Sequence, residues 1–167
     1  MIIGPRRIAL IGVIAGVALA IIFYPLIISS PIDTNKVNIS FTRIVLDQDA
    51  SSDQELVLRP TFTITNNNNI TLTTSRIEYE IFADGTPVAS ETLSYEDVPV
   101  NGRPPLFSGS PVPLTHFFSL EYSDEDAELF DRILNNATQI AWSARGSALI
   151  ESGTTQVPME FASDLAG

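Results

Sequence analysis

An uncharged apolar stretch near the start of the chain limits its folding options more than any other feature. From Ile8 to Ile28, 21 consecutive residues carry no charge. As a helix rising about 1.5 Å per residue, such a stretch would extend roughly 31 Å, close to the thickness of the hydrocarbon core of a bilayer. We therefore predict a single transmembrane helix over residues 8–28, with the lipid bilayer as its partner.

A cleavable signal peptide is the alternative for the same stretch. Ala18-Leu19-Ala20 has the small-x-small form that signal peptidase accepts. The apolar residues continue well past this tripeptide, beyond the length of an ordinary signal-peptide core. We expect the segment to stay attached as a signal anchor.

Arginines on one side of the apolar stretch set the expected orientation. Arg6 and Arg7 precede it, whereas Lys36 beyond it lies in an acidic sequence. The positive-inside rule then places residues 1–7 in the cytoplasm. Residues 29–36 form a short polar linker, and the rest of the chain is expected outside the cell membrane.

Three N-x-[ST] sequons agree with translocation, because such sites matter only on a translocated chain. They begin at Asn38, Asn69 and Asn136, which are candidate N-glycosylation sites. Such tripeptides also arise by chance in sequences rich in asparagine and threonine, so modified and unmodified states both stay open.

Charge and composition exclude several classes of function. Residues 31–167 contain 20 acidic and 7 basic side chains. Nucleic acid and an anionic membrane surface both repel a surface of this charge, and we expect neither as a partner of the acidic surface. The absence of cysteine excludes disulfides, thiolate metal sites and a thiol nucleophile.

Alternation of apolar and polar residues dominates the sequence after the linker and predicts β-strands. Val112 to Leu120 is predicted as one of seven strands, which are separated by turns. This pattern predicts a mainly β fold, an immunoglobulin- or fibronectin-III-like antiparallel β-sandwich over residues 37–162, followed by a tail over residues 163–167. The second predicted strand shows the pattern clearly, with four apolar residues on one face: Leu56, Leu58, Phe62 and Ile64.

Four segments depart from the alternation. Asp84-Gly85 predicts a hairpin turn, and the proline-rich Val98–Pro105 is expected to cross irregularly from one sheet to the other. Ser123, followed by three acidic residues, predicts the N-cap of one short late helix. The asparagines at positions 66–69 predict a turn between strands, because asparagine tolerates the left-handed conformation.

Several stretches resemble a known protein family. Thr61–Leu72 and Ile77–Ala89 resemble the late embryogenesis abundant group 2 family, also called the water-stress and hypersensitive-response domain. Trp142–Leu149 and Val157–Phe161 look like that family's last two strands. The family usually has Asn-Pro-Asn after the second strand, where this chain has asparagine in place of the proline. The resemblance implies a fibronectin-like sandwich, frequent membrane anchoring, a role in desiccation or other stress, and no catalytic residues.

The residues themselves show no arrangement typical of catalysis or of cofactor binding, and we predict a non-enzymatic protein without catalytic, cofactor or metal-ligating residues. His116 lies in phase with apolar neighbours, which favours a hydrogen-bonded core or edge residue. The acidic loop from Asp47 to Glu55 lacks the glycine and spacing of an EF-hand, which favours a solvated loop over a calcium site. Trp142, on an alternating strand, is expected in the core.

Two functions stay open. The leading prediction is a single-pass envelope protein that presents the acidic sandwich as a structural, stress-protective or interaction module. The alternative is an accessory single-pass subunit of a larger membrane complex. Gly12 and Gly16 have the spacing that permits close helix packing. Arg103 is a candidate contact for other membrane or envelope proteins, with an exposed loop arginine as the alternative.

Overall fold

The fold is taken from a computed structural model, in which residues 13–19, 21 and 32–165 are described. The chain divides after Pro31 into two compact units. Residues 32–165 belong to the second unit, which contains every described strand.

The described part of the first unit is short. Residues 13–19 and 21 are helical and exposed. Within the described ranges, no helix combines the length and the apolar character that crossing a bilayer requires. Outside these ranges lie most of the predicted span 8–28 and three of the residues singled out above: Arg6, Arg7 and Gly12.

The second unit consists of two antiparallel sheets around one apolar core, with a single α-helix, α1 (Ala127–Asn136). Sheet I contains β1 (Val37–Leu46), β2 (Glu55–Asn66), β5 (Pro111–Thr115) and β6 (Phe118–Glu121). Sheet II contains β3 (Thr73–Ala83), β4 (Thr86–Ser94), β7 (Trp142–Ser152) and β8 (Thr155–Asp164). In sheet I, β2 lies between β1 on one side and both β5 and β6 on the other, and sheet II has the order β4-β3-β7-β8. The prediction of a mainly β fold with two antiparallel sheets and one short helix is confirmed.

Sheet I has two short strands where the sequence predicts one. The predicted strand Val112–Leu120 is broken at His116 and Phe117, although β5 and β6 pair with β2 in the same register. The break lies opposite Pro60, whose carbonyl accepts a hydrogen bond from the His116 amide at 3.1 Å. Proline has no amide hydrogen to return that bond, so the ladder is interrupted there.

The core is filled by the inward faces of both sheets. The four apolar residues of β2 named above are fully buried, as the alternation predicts. Phe62 lies among aromatic rings, with centroids 5.5 Å from Phe41, 4.8 Å from Tyr79 and 5.6 Å from Phe161. Trp142 is buried as well, which confirms its predicted place in the core.

The helix begins later than predicted, and Ser123 is not its N-cap. Asp126 precedes the first helical residue and makes no side-chain capping bond. The Ser123 hydroxyl instead accepts a hydrogen bond from the Asp126 amide at 3.2 Å, which forms a turn before the helix. Phe130 and Ile133 face the core from α1.

Two predicted turns differ in outcome. Asp84 and Gly85 have φ values of 50° and 82°, as the predicted hairpin requires. Over the described residues, Asp84 is the one non-glycine residue with a positive φ. The asparagines at 66–69 lead into the β2–β3 connection without the left-handed conformation, and two of them, Asn66 and Asn68, are buried.

The loops of the sandwich gather at two opposite ends. The linker end is where the chain enters the second unit, and it comprises residues 32–36, 67–76, 94–110 and 151–156. The helix end comprises residues 47–55, 84–85, 121–141 and 164–165. Strand pairing defines these ends, since Val37 lies opposite Asn66 at the first and Leu46 lies opposite Leu58 near the second.

Candidate functional site

Charge is distributed unevenly between the two ends. The helix end has 12 acidic side chains against one basic, whereas the linker end has four against three. Among the described residues, two acids of the helix end form ion pairs, Asp47 with Arg59 and Asp84 with Arg132. Three of the four acids at the linker end are paired: Asp33 with Lys36, Glu96 with Arg76, and Glu151 with Arg103. The uncompensated negative charge of the domain therefore lies mostly at the helix end.

Two buried asparagines hold the linker end together. Asn66 Nδ2 donates to the carbonyls of Ile70 and Leu106 at 2.8 Å each, and Asn66 Oδ1 accepts from the Asn68 amide at 2.9 Å. The side chain of Asn68 both accepts from the Asp33 amide and donates to the Asp33 carbonyl, at 3.1 Å. These bonds join the start of the domain, the β2–β3 loop and the β4–β5 crossing.

The sequence contains a signal for this role of Asn66. Along β2, Phe62 and Ile64 point into the core, and Asn66 continues the same phase. A polar side chain in a buried phase must satisfy its hydrogen bonds inside the protein. The run of four asparagines predicts a turn, which leaves the buried phase of Asn66 unrecognised.

The structure places Arg103 inside the linker end. Its side chain is 10% exposed, and its guanidinium pairs with the carboxylate of Glu151, which is 4% exposed. Arg103 Nε also donates to the Val98 carbonyl at 2.9 Å, and Gln156 Nε2 donates to the second oxygen of Glu151 at 2.6 Å. The charged group thus fastens the β4–β5 crossing to β7, and a contact of Arg103 with a partner stays a prediction. The sequence analysis did not single out Glu151, because an acidic side chain directly before Ser152-Gly153 is usually exposed.

His116 connects the two sheets. Its Nδ1 atom lies 2.7 Å from the hydroxyl of Tyr79, and the two rings meet edge to face. Burial, with a smaller contribution from the carboxylate of Glu91, raises the pKa of Tyr79. The phenol therefore stays protonated at neutral pH. This contact matches the prediction of a hydrogen-bonded histidine at the core edge.

The acidic loop between β1 and β2 is organised by an ion pair. Asp47 Oδ2 accepts from Arg59 Nε at 2.8 Å, and this bond lowers the pKa of Asp47. The Ser51 hydroxyl donates to the Asp47 carbonyl at 2.7 Å and closes the loop. Within the part of the chain that the structure describes, no three histidine or acidic side chains gather closely enough to hold a metal ion.

At the helix end, Asp84 attaches α1 to sheet II. Its carboxylate accepts from the Ala141 amide at 2.9 Å and pairs with Arg132 of α1. The bond from the Ala141 amide, followed by the bond from Arg132, lowers the pKa of Asp84.

The three sequon asparagines lie at the surface. Asn38 is exposed in β1, where its amide donates to the hydroxyl of Ser40 at 2.8 Å. Asn69 is exposed in the β2–β3 loop, and Asn136 is exposed as the last residue of α1. Glycosylation of these positions stays a prediction.

Comparison with known proteins yields a fold rather than a family. No protein-family model and no curated protein matches this chain. The solution structure of AT1g01470 from Arabidopsis thaliana is similar, with a TM-score of 0.50 at 11% identity over 76% of this chain and 79% of that chain. The fold is shared. Two other solved structures are more distant and add nothing to this conclusion: a protein provisionally described as late embryogenesis abundant (TM-score 0.47, 10% identity, 77% of this chain and 68% of that chain) and a protein from Archaeoglobus fulgidus (TM-score 0.46, 12% identity, 76% and 94%).

Proposed function

We propose that this protein is a non-enzymatic, single-pass membrane protein that presents its β-sandwich outside the cell membrane as a structural, stress-protective or interaction module. The observation that carries the proposal is the uneven charge of the domain, taken with the apolar stretch 8–28 that precedes it. The nearly neutral end is the one at which the chain enters the domain. Anionic headgroups repel an acidic surface, so this order suits a domain tethered at its linker end.

A relationship to the late embryogenesis abundant group 2 family belongs to the same proposal. It is supported by the residue patterns at Thr61–Leu72 and Ile77–Ala89, and the likeness to the Arabidopsis structure supports the fold alone. A protective role has a physical basis in the acidic surface, because a high net charge keeps a protein hydrated and soluble.

The use of polar groups in the domain supports a non-enzymatic role. Among the described buried polar residues, the side chains of Asn66, Asn68, Thr74 and Glu151 are engaged in bonds within the domain, and the Ser75 hydroxyl is the one without a partner. A groove of about 1000 Å³ on the outer face of sheet II is open and lined by carboxylates, small hydroxyl side chains and Arg145, without a histidine to activate a hydroxyl. This surface suits contact with solvent or a partner better than chemistry.

Cysteine labelling of intact cells tests the proposed topology, since the chain has no cysteine of its own. Asp49→Cys, in the exposed β1–β2 loop, is expected to react with a membrane-impermeant maleimide. Ile3→Cys is the matched control, and its cysteine is expected to react only after the membrane is permeabilised. Protection of position 49 in intact cells, with labelling after permeabilisation, would contradict the topology.

An accessory subunit of a larger membrane complex is the second candidate. Besides the spacing of Gly12 and Gly16, a methyl group added at Gly16 would meet no atom within 4 Å among the described residues, its chain neighbours and its own helix backbone aside. The described part of this helix thus has room for a close neighbour. A subunit would be isolated in mild detergent with a partner at fixed stoichiometry, and Gly12→Ile with Gly16→Ile is expected to abolish that association. Isolation of a lone chain would reject this candidate.

A further inference from the structure

Phe107 is fixed in position at the linker end although its side chain is 55% exposed. The residue before it, Leu106, is fully buried and exchanges two backbone hydrogen bonds with Leu72, at 2.8 and 3.1 Å. Two residues after it, the Gly109 amide donates to the Asn66 carbonyl at 2.7 Å. The backbone is therefore fastened on both sides of a ring that stays outside the core.

The surroundings of Phe107 distinguish it from an ordinary exposed hydrophobic residue. Single exposed apolar side chains are common on soluble proteins and need no explanation. Here, however, residues 67–75, 104–110 and 152–159 contain no acidic or basic side chain. The first two segments belong to the linker end and are bridged through Leu72 and Leu106, and the third begins there. Phe107 thus lies on a pair of bridged segments without charged side chains, on an otherwise acidic domain.

The covalent connection limits how far this surface can lie from a bilayer that holds residues 8–28. Ile32 packs against the core and Asp33 is bonded to Asn68, so residues 29–31 alone remain as a tether. The step from Ile28 to Ile32 reaches at most about 14 Å. The headgroup layer of each leaflet is roughly 5–8 Å thick. A domain on such a short tether must lie at the headgroups or just above them.

We propose that the linker end rests on the bilayer surface and that the ring of Phe107 inserts between headgroups and acyl chains. This inference rests on the proposed membrane anchor. Lipid is favoured over a protein partner because the tether brings lipid to this surface in every molecule. The charge distribution also favours contact of this end with lipid, since three of its four acids are paired and most unpaired acids lie at the helix end. An aromatic side chain in the interfacial layer is stabilised by burial of its apolar surface.

Single cysteine variants of the full chain, reconstituted in phosphatidylcholine vesicles, test the inference. An environment-sensitive fluorophore is attached to Phe107→Cys and, as a matched control, to Phe117→Cys. Phe117 is 61% exposed but lies beside the break between β5 and β6, away from the linker end. A third label at Ala18→Cys reports on the anchor, and the emission of Trp142, the one tryptophan of the chain, verifies that each variant is folded.

The expected result is a blue-shifted emission at position 107 and severalfold stronger quenching by spin-labelled lipid there than at position 117. Water-like emission at both positions, with the label at 18 in lipid, would overturn the docking and leave the anchor intact. Water-like emission at 18 would overturn the anchor itself. A label at 107 that is shielded from a water-soluble quencher, and not reached by the lipid-borne one, would overturn the docking in favour of a protein neighbour such as a second copy.

Discussion

The linker end and the helix end of the sandwich differ in one buried pair of charged side chains. At the linker end, Arg103 and Glu151 are 10% and 4% exposed and pair inside the protein. At the helix end, Arg132 and Asp84 form a comparable pair, but they are 49% and 31% exposed. The linker end thus buries and satisfies one ion pair, although its other two, Lys36 with Asp33 and Arg76 with Glu96, are exposed like the pair at the helix end. The comparison indicates that polar groups stabilise the fold at the linker end and determine the surface field at the helix end.

The largest expected effect comes from breaking the buried pair. Arg103→Ala leaves the carboxylate of Glu151 without its cation, which is expected to lower the free energy of unfolding by about 3–5 kcal/mol. The matched change at the helix end, Arg132→Ala, is expected to cost about 1 kcal/mol or less, because exposed pairs contribute little. Urea unfolding of both variants measures the difference.

A double variant separates loss of the pair from loss of packing. Arg103→Met combined with Glu151→Leu replaces both charges by apolar groups, and it is expected to recover most of the stability lost in Arg103→Ala. Equal losses for Arg103→Ala and Arg132→Ala would remove the distinction between the two ends.

The asparagine network at the linker end should show the next largest effect. Asn66→Ala leaves the Ile70 carbonyl and the Asn68 amide without their partner, with an expected cost of about 1–3 kcal/mol. Asn67→Ala, at an exposed position between the two buried asparagines, is expected to change stability by about 0.5 kcal/mol or less. Thermal or urea unfolding of the two variants measures the difference. Similar losses of stability for Asn66→Ala and Asn67→Ala would contradict a stabilising role of the asparagine network.

The sequence predicts much of the fold and less of these contacts. Alternation over Leu56–Ile64 correctly identifies a buried strand because each side chain alternates between core and solvent. The break in the Val112–Leu120 strand depends on Pro60, a residue of the neighbouring strand, and local periodicity contains no information on it. For the same reason the partner of Arg103 was missed, since Glu151 lies 48 positions away in the sequence. Contacts between distant segments are fixed by pairing register, which a single sequence does not specify.

Acid should weaken the attachment of α1 at the helix end. The pKa of Asp84 is lower in the folded protein than its ordinary value of 3.8, so its contribution to stability is full above that value and is lost as the pH falls through the folded pKa. The pKa of Asp47 is also lowered in the folded protein, so its contribution to stability is lost with acid in the same way. Asp84→Asn lacks this titration, so its unfolding free energy is expected to fall less steeply with acid than that of the unmodified chain. Parallel curves for the two proteins below pH 3.8 would contradict the assignment.

The smallest expected effect is a response of the helix end to salt. Its 12 acidic side chains against one basic repel one another, and added potassium chloride screens charges separated by more than about 10 Å at 0.1 M. Salt is therefore expected to slow hydrogen exchange of the backbone amides in α1, by the equivalent of about 1 kcal/mol or less. The amides of Asn68 and Leu106, inside the uncharged network of the linker end, serve as the control and are expected to change less. An equal gain in protection at both ends would contradict screening of local repulsion, which predicts a larger gain at the helix end. Salt would then act on the whole domain through hydration.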